Sequence, residues 1–314
     1  MIARRRLDQR LKLQHFRCIE AIAASGSLLK ASAALGLTQP ALSKALREAE
    51  SIVGKPLFQR HSRGVRLTDA GYAARESAAR VFAELRRLDE TLDGLDRPGR
   101  GALALGVLPV AASGVLPGAL TRLKAAEPGL RVRLEQGRTE DLLPLLAAGE
   151  IDLVVGRLYE PAVPDAFSRE NLWTEPMSIL ARAGHPIFAG GLIDAAALRP
   201  FDFVLPTITQ RVGQEIERLM ADMGLDAHGA FRSSSYGFIR EMLLGGDSVA
   251  VMPRLMMVGD LLRGALRLAP LPVAAPERLA GLIRRRDAAL SPPATMFVEA
   301  LRGYVGELAA RGLA

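Results

Sequence analysis

Apolar residues recur at helical spacing through most of positions 11 to 95, with breaks at Gly26-Ser27, at Gly36 and across Gly54 to Thr68. The pattern predicts short helices followed by one long one. Ser27 is placed to cap a helix over SLLKASAAL, in which Ala31 and Ala34 allow close approach of a neighbouring helix. Gly36 permits a tight turn, and Thr38 caps the next helix, with Gln39 and Pro40 in its first turn. In that helix Leu42, Leu46, Ala49 and Val53 recur at intervals of 4, 3 and 4, which makes one buried stripe. Gln39, Ser43, Lys44 and Arg47 are left on the outward face. Two helices joined in this way form a helix-turn-helix. The following KPLFQRHSRGVRLT, residues 55 to 68, reads as a wing. Leu57, Phe58, Val65 and Leu67 anchor two short arms, while Arg60, His61, Arg63 and Arg66 project from a turn at Gly64.

From Thr68, a further N-cap, one helix is predicted through about Asp93. Ala74, Ala78, Val81, Leu85, Leu88, Leu92 and Leu95 alternate spacings of 4 and 3, a heptad seam that needs a partner. After Asp96-Arg97-Pro98-Gly99 the texture changes. Strands are predicted at 102–107, 130–135, 151–156, 178–182, 201–206 and 248–253, with helices such as Leu116 to Ala126 and Gln210 to Met223 between them. This alternation implies α/β units on largely parallel sheets, and the length suffices for two lobes of roughly 100 residues.

Charge adds a partner to this picture. Of 314 residues, 49% are hydrophobic and 24% charged, a globular composition. The net charge of +7 is unevenly spread: residues 1 to 68 hold thirteen Lys or Arg against four Asp or Glu, a net +9, and the remainder is slightly acidic. A basic block of domain size points to a polyanion, with nucleic acid first. Gln39, Pro40, Ser43, Lys44 and Arg47 suit a DNA major groove, and Arg60, Arg63 and Arg66 suit phosphates.

Other chemistry is excluded. The single Cys18 rules out a disulfide framework, and no HExxH, GxxxxGK[ST] or GxSxG spacing is present. No catalytic residue, metal site or cofactor is therefore expected. His185, before Pro186, reads as a turn residue. The basic N-terminus lacks an apolar core for export, and no run of about 18 apolar residues occurs, so the expectation is a cytoplasmic protein without a membrane partner.

In the α/β part a ligand is expected beyond the carboxyl ends of strands, near helix N-termini. The candidate positions are Pro109 to Ser113, Arg138-Thr139, Pro206 to Thr209 and Ser233 to Tyr236. Thr139 either caps a helix or offers its hydroxyl to a ligand. Arg157 either supplies charge to a ligand or is structurally paired.

The run GSLLKASAALGLTQPALSKALREAESIVGKPLFQRHSRGVRLTDAG, residues 26 to 71, closely resembles the winged helix-turn-helix of LysR-type transcriptional regulators, and the TQPALS and LFQR...LTDAG strings are specific. The resemblance extends over nearly the whole chain. It implies an α plus α/β protein: a winged helix-turn-helix over 1–69, a linker helix over 70–96 and a two-lobed effector domain of periplasmic-binding-protein type over 97–314. Lobe I would take about 100–172 and 279–314, and lobe II about 173–278. Implied partners are a double-stranded DNA operator, a small-molecule effector, further copies of the chain as homodimer or homotetramer, and RNA polymerase. Val110, Ala111, Ser113, Arg138, Thr139, Thr207, Thr209, Ser234 and Tyr236 would line the effector site. Ala49 stands where the family usually carries a larger aliphatic. Val110, Ala111 and Ala112 also precede Ser113 where relatives with aromatic effectors have an early hydroxyl. DLVVGRL (152–158) and RAGHP (182–186) are similar to the subgroup regulating protocatechuate or sugar-uptake genes, which hints at an aromatic or other small carboxylate, or a sugar. The alternative is a two-lobed solute-binding protein without a regulatory role, which would not need residues 1 to 68.

Overall fold

The computed structural model describes residues 6–61, 64–95, 101–161, 163–190, 193–207, 211–226 and 231–314. The chain divides into two compact units, Met1–Pro98 with Pro144–Ile151, and Gly99–Leu143 with Asp152–Ala314.

The N-terminal unit runs α1 (Leu7–Arg10), α2 (Leu13–Ser25), α3 (Leu28–Ala34), α4 (Gln39–Val53), β1 (Phe58–His61), β2 (Gly64–Leu67) and α5 (Asp69–Leu95). The expected caps form. Ser27 Oγ accepts from the Lys30 N–H at 3.4 Å, Thr38 Oγ1 from Ala41 at 3.3 Å and Thr68 Oγ1 from Gly71 at 3.1 Å. Cys18, Ile19, Ile22, Ala31, Leu42, Leu46, Ala49, Leu57 and Phe58 make the core, each large apolar side chain contributing roughly 1.5–3 kcal/mol by burial. Val53 is half-buried at the end of its stripe. Ala34 departs from expectation: it is exposed, because α3 ends there and leads into Gly36 at φ 64°, while Ser32 is buried in its place.

The wing is an antiparallel pair with Phe58 opposite Leu67 and His61 opposite Gly64. Glu50 of α4 fastens it, its Oε1 accepting from the N–H groups of Leu57 at 2.8 Å and Phe58 at 3.3 Å. On α5, Ala78 is buried and Ala74 and Val81 are half-buried, but Leu85, Leu88 and Leu92 are 41%, 52% and 51% exposed. The side chain of Leu95 lies outside the described residues.

Beyond α5 the chain continues with β3 (Ala102–Val107), α6 (Pro109–Ser113), α7 (Leu116–Ala126), β4 (Arg131–Gln136), α8 (Thr139–Ala148), β5 (Leu153–Arg157) and β6 (Phe167–Thr174). Next come β7 (Met177–Arg182), α9 (Ala195–Leu198), β8 (Val204–Pro206), α10 (Arg211–Asp222), β9 (Phe231–Ser233), α11 (Tyr236–Gly245), β10 (Ala250–Pro253), α12 (Val258–Leu262) and β11 (Leu266–Ala269). β12 (Leu279–Arg285) and α13 (Pro292–Ala310) complete it.

Two sheets define two lobes. One has order β4-β3-β5-β12-β6 and the other β10-β7-β11, with the β8-β9 pair joined to β10 through a bridge between Phe203 and Val249. The chain crosses between sheets at Glu175-Pro176 and returns between Ala269 and Leu279. This double crossing corrects the expectation of largely parallel sheets. β3 is parallel to β4 and β5, and β8 to β9, but the returning β12 runs antiparallel to β5 and β6, and β7 is antiparallel to β10 and β11. His185 is a buried turn residue, its Nδ1 accepting from the Ile187 N–H at 3.1 Å and its Nε2 lying 3.0 Å from Asp247 O.

Candidate functional site

In the N-terminal unit, Gln39, Pro40, Lys44 and Arg47 are exposed and Ser43 is half-buried. They share the face of α4 opposite its stripe of Leu42, Leu46 and Ala49, so burial of the stripe turns the polar side outward. On the wing, His61 and Arg66 are exposed. Arg60 lies in β1 with its side chain outside the described residues, and Arg63 is outside them altogether. Short polar and long cationic groups thus share one helix, and Arg66 stands exposed on the hairpin of the same compact unit.

The second unit holds a cavity of about 490 Å³ between its lobes. Leu108, Pro109 and Val110 give it an apolar wall, and charged side chains from both lobes face it. Of the predicted effector residues, Val110, Arg138, Thr139 and Tyr236 line it. Ala111 does not: α6 turns it inward, 1% exposed, into the core. Ser113, at the far end of α6, is exposed and off the cavity, as is Ser234, while Thr207 also lies off its lining. Thr209 falls outside the described residues. The cap of α11 is Ser235, whose Oγ accepts from the Phe238 N–H at 3.2 Å.

Thr139 is not a cap. The N–H groups of Asp141 and Leu142 both donate to Arg138 O at 3.0 Å, which puts Arg138 at the cap position and Thr139 first inside α8. Thr139 Oγ1 is buried with no hydrogen-bond partner among the described residues. Such a group beside a cavity is open to a hydrogen bond from water or a ligand.

The strongest electrostatics come from residues that sequence reasoning did not single out. Glu175 is fully buried and Arg278 is 3% exposed, with Arg278 Nη2 3.5 Å from Glu175 Oε2. Arg278 also contacts Glu215 of α10, whose Oε2 is 3.3 Å from Arg157 Nη1. Arg157 is thus structurally paired and faces the cavity as well. Arg211 pairs with Glu140 and lies 4.4 Å over the Tyr159 ring. Desolvation pushes Glu175 up to about 6, against the opposing pull of Arg278 and Arg157. Burial, with the neighbouring Arg157, lowers Arg278 to about 10, and burial with Glu175 nearby raises Tyr236 to about 12. Glu175 and Arg278 sit in the segments joining the sheets, where no periodicity marks a residue as buried. Only the presence of charges beside apolar strands was visible.

Residues 13–72 match the family model of the bacterial regulatory helix-turn-helix protein, lysR family, and residues 96–306 match the LysR substrate binding domain. The chain belongs to the LysR family. Among curated LysR-type relatives, the regulator PcaQ of Agrobacterium fabrum is 28% identical over 303 residues, covering 96% of this chain and 97% of that one. GalR of Pseudomonas putida is 31% identical, covering 87% of this chain and 69% of its own length. Among solved structures, full-length CbnR complexed with its target DNA has a TM-score of 0.61 at 20% identity, covering 94% of this chain and 100% of that one. A full-length OxyR variant from Pseudomonas aeruginosa has a TM-score of 0.60 at 23% identity, covering 94% of each chain. This chain is accordingly a LysR-type transcriptional regulator, with a DNA-binding helix-turn-helix and a two-lobed effector-binding domain. The solute-binding alternative gains no support, because the DNA-binding match lies on the same chain.

Proposed function

We propose that α4 enters the major groove of an operator, with Gln39, Ser43, Lys44 and Arg47 near base edges, and that the wing carrying Arg60, Arg63 and Arg66 holds phosphates. The domain division is 1–69, 70–96 and 97–314, and two chains pair through the α5 seam. The exposure of Leu85, Leu88 and Leu92 supports this pairing, since one chain leaves half of a heptad stripe uncovered. Tetramers and contact with RNA polymerase belong to this proposal on family resemblance alone.

The effector site is the cavity between the lobes, with Val110, Arg138, Thr139 and Tyr236 in its wall. The observation that carries this reading is Thr139 Oγ1, buried and unpaired at the cavity edge. The ligand is a small metabolite, and binding it alters operator binding or activation without catalysis. No described helix is long and apolar enough to cross a membrane, and we assign the protein to the cytoplasm. Electrophoretic mobility shift on the chain's own upstream DNA tests the regulator. Thermal-shift screening of aromatic acids, organic acids and sugars tests the cavity, since a ligand at about 100 times its Kd stabilises by ~2.7 kcal/mol.

A further inference from the structure

Glu215 is a carboxylate that the protein itself supplies to two guanidiniums. It stands on α10 in one lobe, with Oε2 3.3 Å from Arg157 Nη1 at the end of β5 in the other and in contact with Arg278 Nη1. Arg157, Arg278 and Glu175 all line the same cavity. Two acids face two bases, so the cluster is neutral with Glu175 ionised and positive once Glu175 takes a proton.

Several atoms of this cluster lack hydrogen bonds, although Glu175 Oε2 keeps its 3.5 Å ion pair with Arg278 Nη2. Arg278 Nε, Thr139 Oγ1 and both carboxylate oxygens of Glu175 are buried with no hydrogen bond among the described residues. Glu215 Oε2 instead bridges Arg157 and Arg278 through one Nη1 of each, a position that another carboxylate entering the cavity can take over. Glu175 accepts and, when ionised, cannot donate, so its natural complement is a hydroxyl. A neutral polyol could serve Glu175, but it would leave the guanidiniums with Glu215.

We propose that Glu215 is a built-in stand-in for the carboxylate of the effector, and that the effector is a hydroxy acid. Its carboxylate displaces Glu215 from Arg157 and Arg278, and its hydroxyl donates to Glu175. Displacement also exchanges a direct link between the lobes for one running through the ligand. This proposal rests on the reading of the cavity as the effector site.

The test follows the melting of the full chain, wild type and Glu215→Gln, against glycolate at constant ionic strength. Acetate, which lacks the hydroxyl, and glycolamide, which lacks the charge, are the companion probes. The expected half-maximal glycolate concentration is at least about tenfold lower for Glu215→Gln than for wild type, because the competing carboxylate is gone. Acetate acts more weakly, glycolamide does nothing, and adding Arg157→Met abolishes the glycolate response. Glu215→Asp, too short to span both guanidiniums, shifts in the same direction by a smaller factor and decides the matter if the Gln variant does not fold. Equal glycolate responses in wild type and the Glu215 variants, an absent response included, overturn the proposal. A glycolamide response as strong as that to glycolate does so too. Wild-type binding to upstream DNA, measured alongside, separates the readings: a chain that binds DNA without a charge-dependent glycolate response loses only this proposal, and one that does not bind DNA loses the regulator assignment.

Discussion

Glu175 and Arg278 meet twice, once through the backbone and once through their side chains. The Glu175 N–H donates to Arg278 O at 2.8 Å, and Arg278 Nη2 lies 3.5 Å from Glu175 Oε2. These are the two points at which the chain passes between the sheets, so a backbone-fixed ion pair joins both crossings at the base of the cavity. Burial of both charges carries a desolvation cost that the contact at 3.5 Å and the further contact of Arg278 with Glu215 offset. The pair fixes the geometry of the cavity wall.

A pH dependence follows. Glu175 rises from its ordinary 4.5 to about 6, so between those values the folded chain binds more protons than the unfolded one. Its contribution is complete below 4.5 and is lost as pH climbs through 6, by up to about 2 kcal/mol. Asp165 and Asp260, lowered chiefly by hydrogen bonds from Arg169 and Arg240, act oppositely and below 3.8. Denaturant melts of wild type and Glu175→Gln between about pH 4.5 and 6.5 are expected to differ in slope, with the decline confined to wild type. Matching slopes would mean that Glu175 is not held protonated by burial.

Thr139→Val removes a hydroxyl that makes no hydrogen bond with the described residues. Stability should stay within about 0.5 kcal/mol of wild type, since no bond is lost. A drop of more than about 1 kcal/mol in a urea melt would show the hydroxyl acting as a cap after all. Effector affinity, by titration calorimetry, should fall roughly fivefold or more.

Leu85→Asp puts a charge on the stripe that one chain leaves open, at a cost on the order of several kcal/mol in an apolar seam. Sedimentation should show dissociation to single chains, with operator binding lost. An intact assembly would place the pairing surface elsewhere.

Gly64 has φ 131°, and a Cβ there would stand 2.4 Å from Gly26 O, the acceptor of the Val65 N–H bond at 3.0 Å. Gly64→Ala should destabilise the N-terminal unit by about 1–3 kcal/mol and weaken DNA binding by displacing the wing. Wild-type melting and affinity in this variant would show that the wing accommodates the methyl group freely.

Local chemistry was legible in the sequence wherever one residue decides an outcome. Ser27, Thr38 and Thr68 cap where a small hydroxylated residue precedes a helical stripe, and Leu42, Leu46 and Ala49 are buried as their spacing requires. Thr139 obeyed the same composition rule and failed it by one residue, because Arg138 ends the preceding loop and takes the cap. β6 escaped notice since Arg169, Glu170 and Asn171 interrupt any apolar alternation, and its pairing with β12 joins positions more than a hundred residues apart. Glu175, Arg278 and Glu215 were illegible for the same reason: each owes its role to a partner distant in sequence.

The most direct test of the account is the affinity of the full wild-type chain for its own upstream DNA, measured by fluorescence anisotropy across a salt series beside unrelated DNA of equal length. The upstream sequence should bind more tightly by about 10³-fold or more, with log affinity falling linearly against log salt in both cases. Equal affinity for the two DNAs, or binding indifferent to salt, would contradict a sequence-reading regulator built on α4 and its cationic wing.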